Sequence, residues 1–292
     1  MLKLLIFSLI LNLYQVNSLQ KRFPFDDNLC GIMSESAGLI HGGKLSKKAQ
    51  FPWMAIISTE NLGIWSHYGS GSLISHKHVL AYAGSVSYHD NSNKLIPVSV
   101  DRIKIYLGAI EYEKLDEPGS LKVGVEKISN HPFVRKVLPS LYVHQISILT
   151  LDQDVIFTQF IRPVCLWPFK SDLSEIVGKE AYAVGYGRDE TGKDSLIRKH
   201  VRLTIQENCD NFFERELKFQ NETELFCAKG NENEGPCMYD SQLYMKIEQN
   251  WFIKGISSTI ETLENETCNM NRQTLYEDIE QHVPAIQLLM LE

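Results

Sequence analysis

The sequence predicts an all-β protein with one helix near its C-terminal end. Three observations point there. Short apolar stretches recur along the 292-residue chain, clusters of turn residues separate them, and helical periodicity shows only at the end. Many short strands with turn signals between them argue a sandwich or a barrel.

In order, the candidate strands are WMAII (Trp53–Ile57), SLI (Ser72–Ile74), VDRIKIYLG (Val100–Gly108), QISILTL (Gln145–Leu151), EAYAVGYG (Glu180–Gly187), LYMKI (Leu243–Ile247) and WFIKGIS (Trp251–Ser257). Val100, Ile103, Ile105 and Leu107 partly alternate with polar neighbours, as a half-buried strand requires. The polar segments Asn91–Lys94, Glu113–Gly119 and Asn231–Glu234 read as surface loops. From Tyr276 to Met290, the residues Ile279, Val283, Ile286 and Met290 fall near one helical face, and Pro284 makes that helix short or kinked.

The N-terminus reads as a secretory signal. Lys3 supplies a positive start, Leu4 to Leu13 an apolar core, and Val16-Asn17-Ser18 a small-residue site for cleavage after Ser18. The run is interrupted by Asn12 and too short to span a bilayer. A secreted, soluble product is therefore expected. Residues 19–39 form a short leader holding Lys21-Arg22, Pro24 and a lone Cys30. Net charge is −7, which leaves no basic footprint for nucleic acid. Six cysteines, Cys30, Cys165, Cys209, Cys227, Cys237 and Cys268, follow the signal. An even count in a secreted chain implies disulfides, and sequence alone leaves the connectivity open. None of the spacings makes a CxxC metal pattern, and no metal or cofactor is expected.

One segment, GSGSLISHKHVLAYAGS (Gly69–Ser85), carries a resemblance to a known family. Further motifs join it in order: IHGG (Ile40–Gly43), QFPW (Gln50–Trp53), YLG (Tyr106–Gly108), HPF (His131–Phe133), IRPVCL (Ile161–Leu166), AVGYG (Ala183–Gly187), CMYDS (Cys237–Ser241) and GISS (Gly255–Ser258). From about Cys30 onward the chain resembles chymotrypsin/trypsin-like serine proteases. The resemblance implies two perpendicular six-stranded antiparallel β-barrels, at about 40–155 and 165–275, with a terminal helix at about 276–290 and a cleft between the barrels. It also implies the bridges Cys30–Cys165, Cys209–Cys227 and Cys237–Cys268. The bridge that braces the histidine loop would join positions 69 and 85, and both ends are gone: Gly69 and Ser85 stand there.

The family reaction needs a serine nucleophile, a histidine base, an aspartate to orient it and backbone donors for the oxyanion. Ser241 matches the nucleophile. Gly84 occupies the histidine position and Gln145 the aspartate position. Neither side chain can take the serine proton, and breaking a serine-protease triad removes roughly 10⁶-fold in rate. The family's G-D-S-G-G becomes Tyr239-Asp240-Ser241-Gln242-Leu243, so Tyr239 replaces an oxyanion-hole glycine. In the specificity pocket, Gly235 stands where a trypsin-like aspartate belongs, and Ile260 and Thr274 replace glycines that keep the pocket open.

Activation in the family cuts before an I-V-G-G motif, and the new N-terminus pairs with the aspartate before the nucleophile. Ile40 and Asp240 match that pair, but Leu39 precedes Ile40, so a trypsin-like activator finds no basic residue there. His76 and His78, two apart, read as polar turn residues more readily than as a metal pair; His144, beside Gln145, is a remote substitute base. Asn221 and Asn265 begin N-glycosylation sequons. The expected protein is a secreted, non-catalytic protease homologue that binds an extracellular protein, as a cofactor or decoy in a protease cascade such as invertebrate immunity. The alternatives are an endopeptidase with unusual chemistry and a salivary, venom or reproductive-fluid binding protein.

Overall fold

The computed structural model describes residues 29–33, 44–92, 94–138, 141–167, 172–186, 195–209, 224–232, 234–236, 240–259 and 269–291. The expected signal segment, Ile40, Asn221, Cys237, Tyr239, Ile260, Asn265 and Cys268 lie outside these residues.

Six strands form the first barrel: β1 (Met54–Asn61), β2 (Ile64–Leu73), β3 (His78–Tyr82), β4 (Ile103–Leu107), β5 (Leu121–Val123 and Val125–Asn130, interrupted at Gly124) and β6 (Ile146–Leu151). They pair in the order β5-β4-β1-β2-β3-β6, and β6 returns to β5, which closes the ring and leaves no open edge. The inward faces follow the period-2 pattern. Ile103, Ile105 and Leu107 are buried while Lys104 is not. Val100 starts a 3₁₀ turn instead of the strand, with Arg102 N–H donating to Ser99. Leu62 and Gly63 both have positive φ, the geometry of a two-residue hairpin loop between β1 and β2.

The second barrel is β7 (Glu180–Gly185), β8 (Lys199–Ile205), β9 (Leu225–Lys229), β10 (Gln242–Ile247), β11 (Asn250–Thr259) and β12 (Thr274–Asp278). The order is β8-β7-β10-β11-β12-β9, closed by β8–β9 pairing. Two short pieces add to it: Lys44–Leu45 antiparallel to β8, and Cys165–Leu166 parallel to β11. Two expected boundaries shift accordingly. The chain from residue 44 starts on the second barrel, not the first. The terminal helix α1 spans Ile279–Leu289, because Leu275 and Tyr276 belong to β12, fully buried on its two opposite faces. Asp278 caps α1 by accepting from Glu280 N–H at 3.1 Å.

Aromatic side chains cement the barrels to each other. Phe51 and Trp53, entering the first barrel, meet Tyr244 of β10 at ring distances of 6.1 and 5.4 Å, and Phe51 meets Trp251 of β11 at 5.7 Å. All four are buried. The leader is tied to the same region. Cys30 and Cys165 form a disulfide, Gly31 N–H donates to Pro163 O at 2.8 Å, and Trp251 N–H donates to Gly31 O at 2.9 Å. Gly31 has φ +68°, and a Cβ there would lie 2.6 Å from Trp251 N, so glycine is required for this close approach. A second disulfide joins Cys209 to Cys227 in β9.

Candidate functional site

The three expected triad positions, Gly84, Gln145 and Ser241, all lie at strand ends of the two barrels. Gly84 sits in a 3₁₀ turn, Ala83–Ser85, directly after β3. Gln145 immediately precedes β6, and Ala83 N–H donates to Gln145 O at 2.8 Å, which sets the two positions side by side. Ser241 precedes β10, and Ser257 N–H donates to its carbonyl at 2.9 Å.

A tyrosine ring fills the space beside Gly84, the expected base position. A Cβ built on Gly84 would fall on the ring of Tyr82, in contact with Cε1 and 3.0 Å from Cζ. The Tyr82 hydroxyl hydrogen-bonds the Gln145 side chain. Burial is the main effect on this phenol and holds its pKa above the usual range, with the Glu277 and Asp240 carboxylates adding to the rise. A neutral phenol held that way does not abstract a proton from serine near neutrality.

Ser241 itself has no exposed surface. Its Oγ lies 3.5 Å from the Tyr276 hydroxyl, and burial pushes that phenol up as well. The residue after Ser241 is also not the glycine that the resemblance implies. Gln242 is fully buried, donates from Nε2 to Asp240 O at 3.1 Å and accepts at Oε1 from Ser72 Oγ at 3.3 Å.

Asp240 faces the first barrel. Its Oδ2 accepts from Ser70 N–H at 2.7 Å and Ser85 Oγ at 3.2 Å, and Oδ1 accepts from Ser70 Oγ at 3.3 Å. Burial pushes its pKa up to about 7 against these three bonds. The carboxylate lies between the two ends of the bridge that the resemblance implied: a Cβ on Gly69 would lie 2.5 Å from Asp240 Oδ2 and 2.6 Å from Ser85 Cβ.

At the pocket position, Gly235 packs against backbone. A Cβ there would lie 2.7 Å from the Met270 carbonyl carbon and 2.8 Å from its Cα, so the Met270 main chain fills the space a longer residue would need. Thr274 is buried and hydrogen-bonds Tyr276.

A family model described as Trypsin matches residues 40–241. The chain belongs to the trypsin family. Among curated relatives it is 26% identical over 242 residues to CLIP domain-containing serine protease B9 of Anopheles gambiae, covering 79% of this chain and 58% of that one. It is 27% identical over 249 residues to phenoloxidase-activating factor 1 of Holotrichia diomphalia, covering 79% and 65%. It is 27% identical over 197 residues to the proclotting enzyme of Tachypleus tridentatus, covering 66% and 51%. The chain thus spans between half and two-thirds of the length of these relatives.

The other histidines near the trypsin-family site are engaged elsewhere. His76 stacks on Phe157 at 3.7 Å and its Nδ1 meets Val155 O at 2.7 Å; His78 Nδ1 meets Ser75 Oγ at 2.8 Å. His144 turns away from Ser241: Nδ1 meets Phe133 O at 2.7 Å and Nε2 meets Glu224 at 2.5 Å. Among the described residues no group of three or more His, Cys, Asp or Glu could hold a metal ion, and no helix is long and apolar enough to cross a membrane.

Sequence reading did not single out Tyr82, Ser70 or Met270. For Tyr82 a signal was available. The family pattern T-A-A-H becomes Ala81-Tyr82-Ala83-Gly84, so a small residue turns large two positions before a large one disappears. Close-packed interiors favour such volume exchange. Met270 carried no comparable sign, because its backbone and not its side chain fills the space.

Proposed function

We propose that this trypsin-family chain acts by binding a protein and not by cleaving one. The observation that carries the reading is the Tyr82 ring packed on Gly84, the expected base position, together with a Ser241 that has no exposed surface. A serine hydroxyl needs a base to become a nucleophile, and a phenol bonded to Gln145 is not one. Access points the same way: substrate would have to reach an oxygen sealed beneath Tyr276 and a pocket whose floor is Met270 backbone. Tyr239 at the oxyanion position and Ile260 at the pocket wall belong to the same proposal.

The setting follows from the leader sequence and the relatives. Lys3 to Ser18 reads as a secretory signal, and disulfides suit an oxidising compartment. Relatives named as a phenoloxidase-activating factor and a proclotting enzyme suggest an extracellular protease cascade, where a rigid double barrel serves as cofactor or decoy. N-glycans at Asn221 and Asn265, the Cys237–Cys268 bridge and an uncut Leu39–Ile40 bond complete the proposed mature form.

The test is a fluorophosphonate probe on the secreted protein, alongside an active trypsin-like enzyme. No incorporation is expected. Labelling that disappears in Ser241→Ala would overturn the proposal.

A further inference from the structure

Three histidines away from Ser241 converge behind Gln145. His131 follows β5, His144 precedes β6, and His282 lies on α1. Their ring centroids are 4.8 Å (His131–His144), 4.9 Å (His144–His282) and 5.2 Å (His131–His282) apart, each pair edge to face. His131 and His282 are buried, and His144 is nearly so.

The cluster joins the first barrel to the second barrel and its helix. Glu224, just before β9, lies 2.5 Å from His144 Nε2 and 3.9 Å from the Arg135 guanidinium. Glu277 of β12 lies 3.1 Å from His282 Nε2 and accepts the backbone N–H groups of His144 and Gln145, the latter at 3.3 Å. The Tyr82 phenol also feels the Glu277 charge. At the other end of the helix's first turn, Asp278 and Glu280 are occupied by Lys254 of β11, at 2.8 and 2.6 Å.

Among the described residues two carboxylates therefore face three imidazoles, and one of the two is shared with Arg135. His131 is left over: its Nδ1 accepts from Phe133 N–H at 3.3 Å, which suits a neutral ring. Charging all three rings would set like charges about 5 Å apart in a largely dry site, where repulsion is strong.

We propose that this histidine cluster is an acid-operated latch, holding α1 against the first barrel near neutral pH and loosening that contact in acid. The direction follows from linkage. Burial, then the neighbouring His282 and His144, hold the His131 pKa down to about 4, with Glu224 opposing. An unfolded chain protonates the same imidazole near 6.5. The contact is thus fully held above about pH 6.5 and weakens as pH falls toward 4, by up to about tenfold in its equilibrium per pH unit.

Hydrogen exchange on the intact disulfide-bonded protein tests this, read by mass spectrometry in peptides covering 279–289 and corrected for intrinsic exchange. Between about pH 7 and pH 5, wild-type protection in α1 is expected to fall about tenfold or more. His131→Gln keeps an acceptor for Phe133 N–H and carries no charge, so its protection should fall less than about threefold. Equal losses in the two proteins would overturn the proposal. Should that variant not fold, the wild-type imidazole titration by NMR decides. One ring titrating below about pH 5 supports the latch, and three rings titrating near the ordinary histidine value refute it.

Discussion

Replacing Asp240 by asparagine gives a stability change whose sign reports what the carboxylate faces. Among the described residues its partners are Ser70 and Ser85, with no cation among them. Folding raises its pKa from 3.8 to about 7, so the folded state keeps a proton that the unfolded chain releases. Wild-type stability from this group is present below about pH 4 and is lost as pH rises toward 7. At about 1.4 kcal/mol per unit, the full rise corresponds to about 4 kcal/mol at pH 8. Asp240 as a residue keeps some exposed surface, and solvent screening reduces that figure to about 1–3 kcal/mol. Asparagine retains an oxygen to accept from Ser70 N–H and does not ionise. Asp240→Asn should therefore be more stable than wild type by about 1–3 kcal/mol at pH 8, with the gain gone only below about pH 4. Urea denaturation across that range, read by tryptophan fluorescence, measures it. A variant less stable than wild type at pH 8 would refute the reasoning, because that is the result if Asp240 instead pairs with a buried α-amino group at Ile40.

Two further outcomes follow from packing. Gly84→His should lower stability by about 1–3 kcal/mol through overlap with the Tyr82 ring. Adding Tyr82→Ala should recover part of the loss in thermal melts, and Gly84→His with Gln145→Asp should still leave a peptide substrate uncut. Lys254→Met removes the cation that the buried Asp278 and Glu280 carboxylates share, and its stability should fall by about 3–5 kcal/mol in the same urea assay.

The barrels were legible because their signals are local. Ile103, Ile105 and Leu107 alternate with polar residues in the sequence and point inward in β4. The end of the second barrel was less so. Tyr276–Asp278 reads as the start of a helix by apolar spacing, yet β11 and β9 flank it and claim it as the end of a strand. At the site, sequence offered Gly84 and Gln145 as expected substitutions, since a change of residue type is visible without a structure. What fills the gap depends on contacts across long separations. Asp240 meets Ser70, 170 residues away, and neither residue type announces that meeting.

The disulfide at Cys30 has a consequence for how the two barrels relate once packing fails. Its partner, Cys165, lies 135 residues on, and every strand of the first barrel falls between them. The first barrel is therefore a closed covalent loop whose two ends are both anchored beside β11. If it unravels while the second barrel stands, its chain stays tethered there, and re-docking is intramolecular at the high effective concentration that a tether confers. Aggregation between unravelled first barrels of different molecules must then outrun a return that never depends on diffusion through solution.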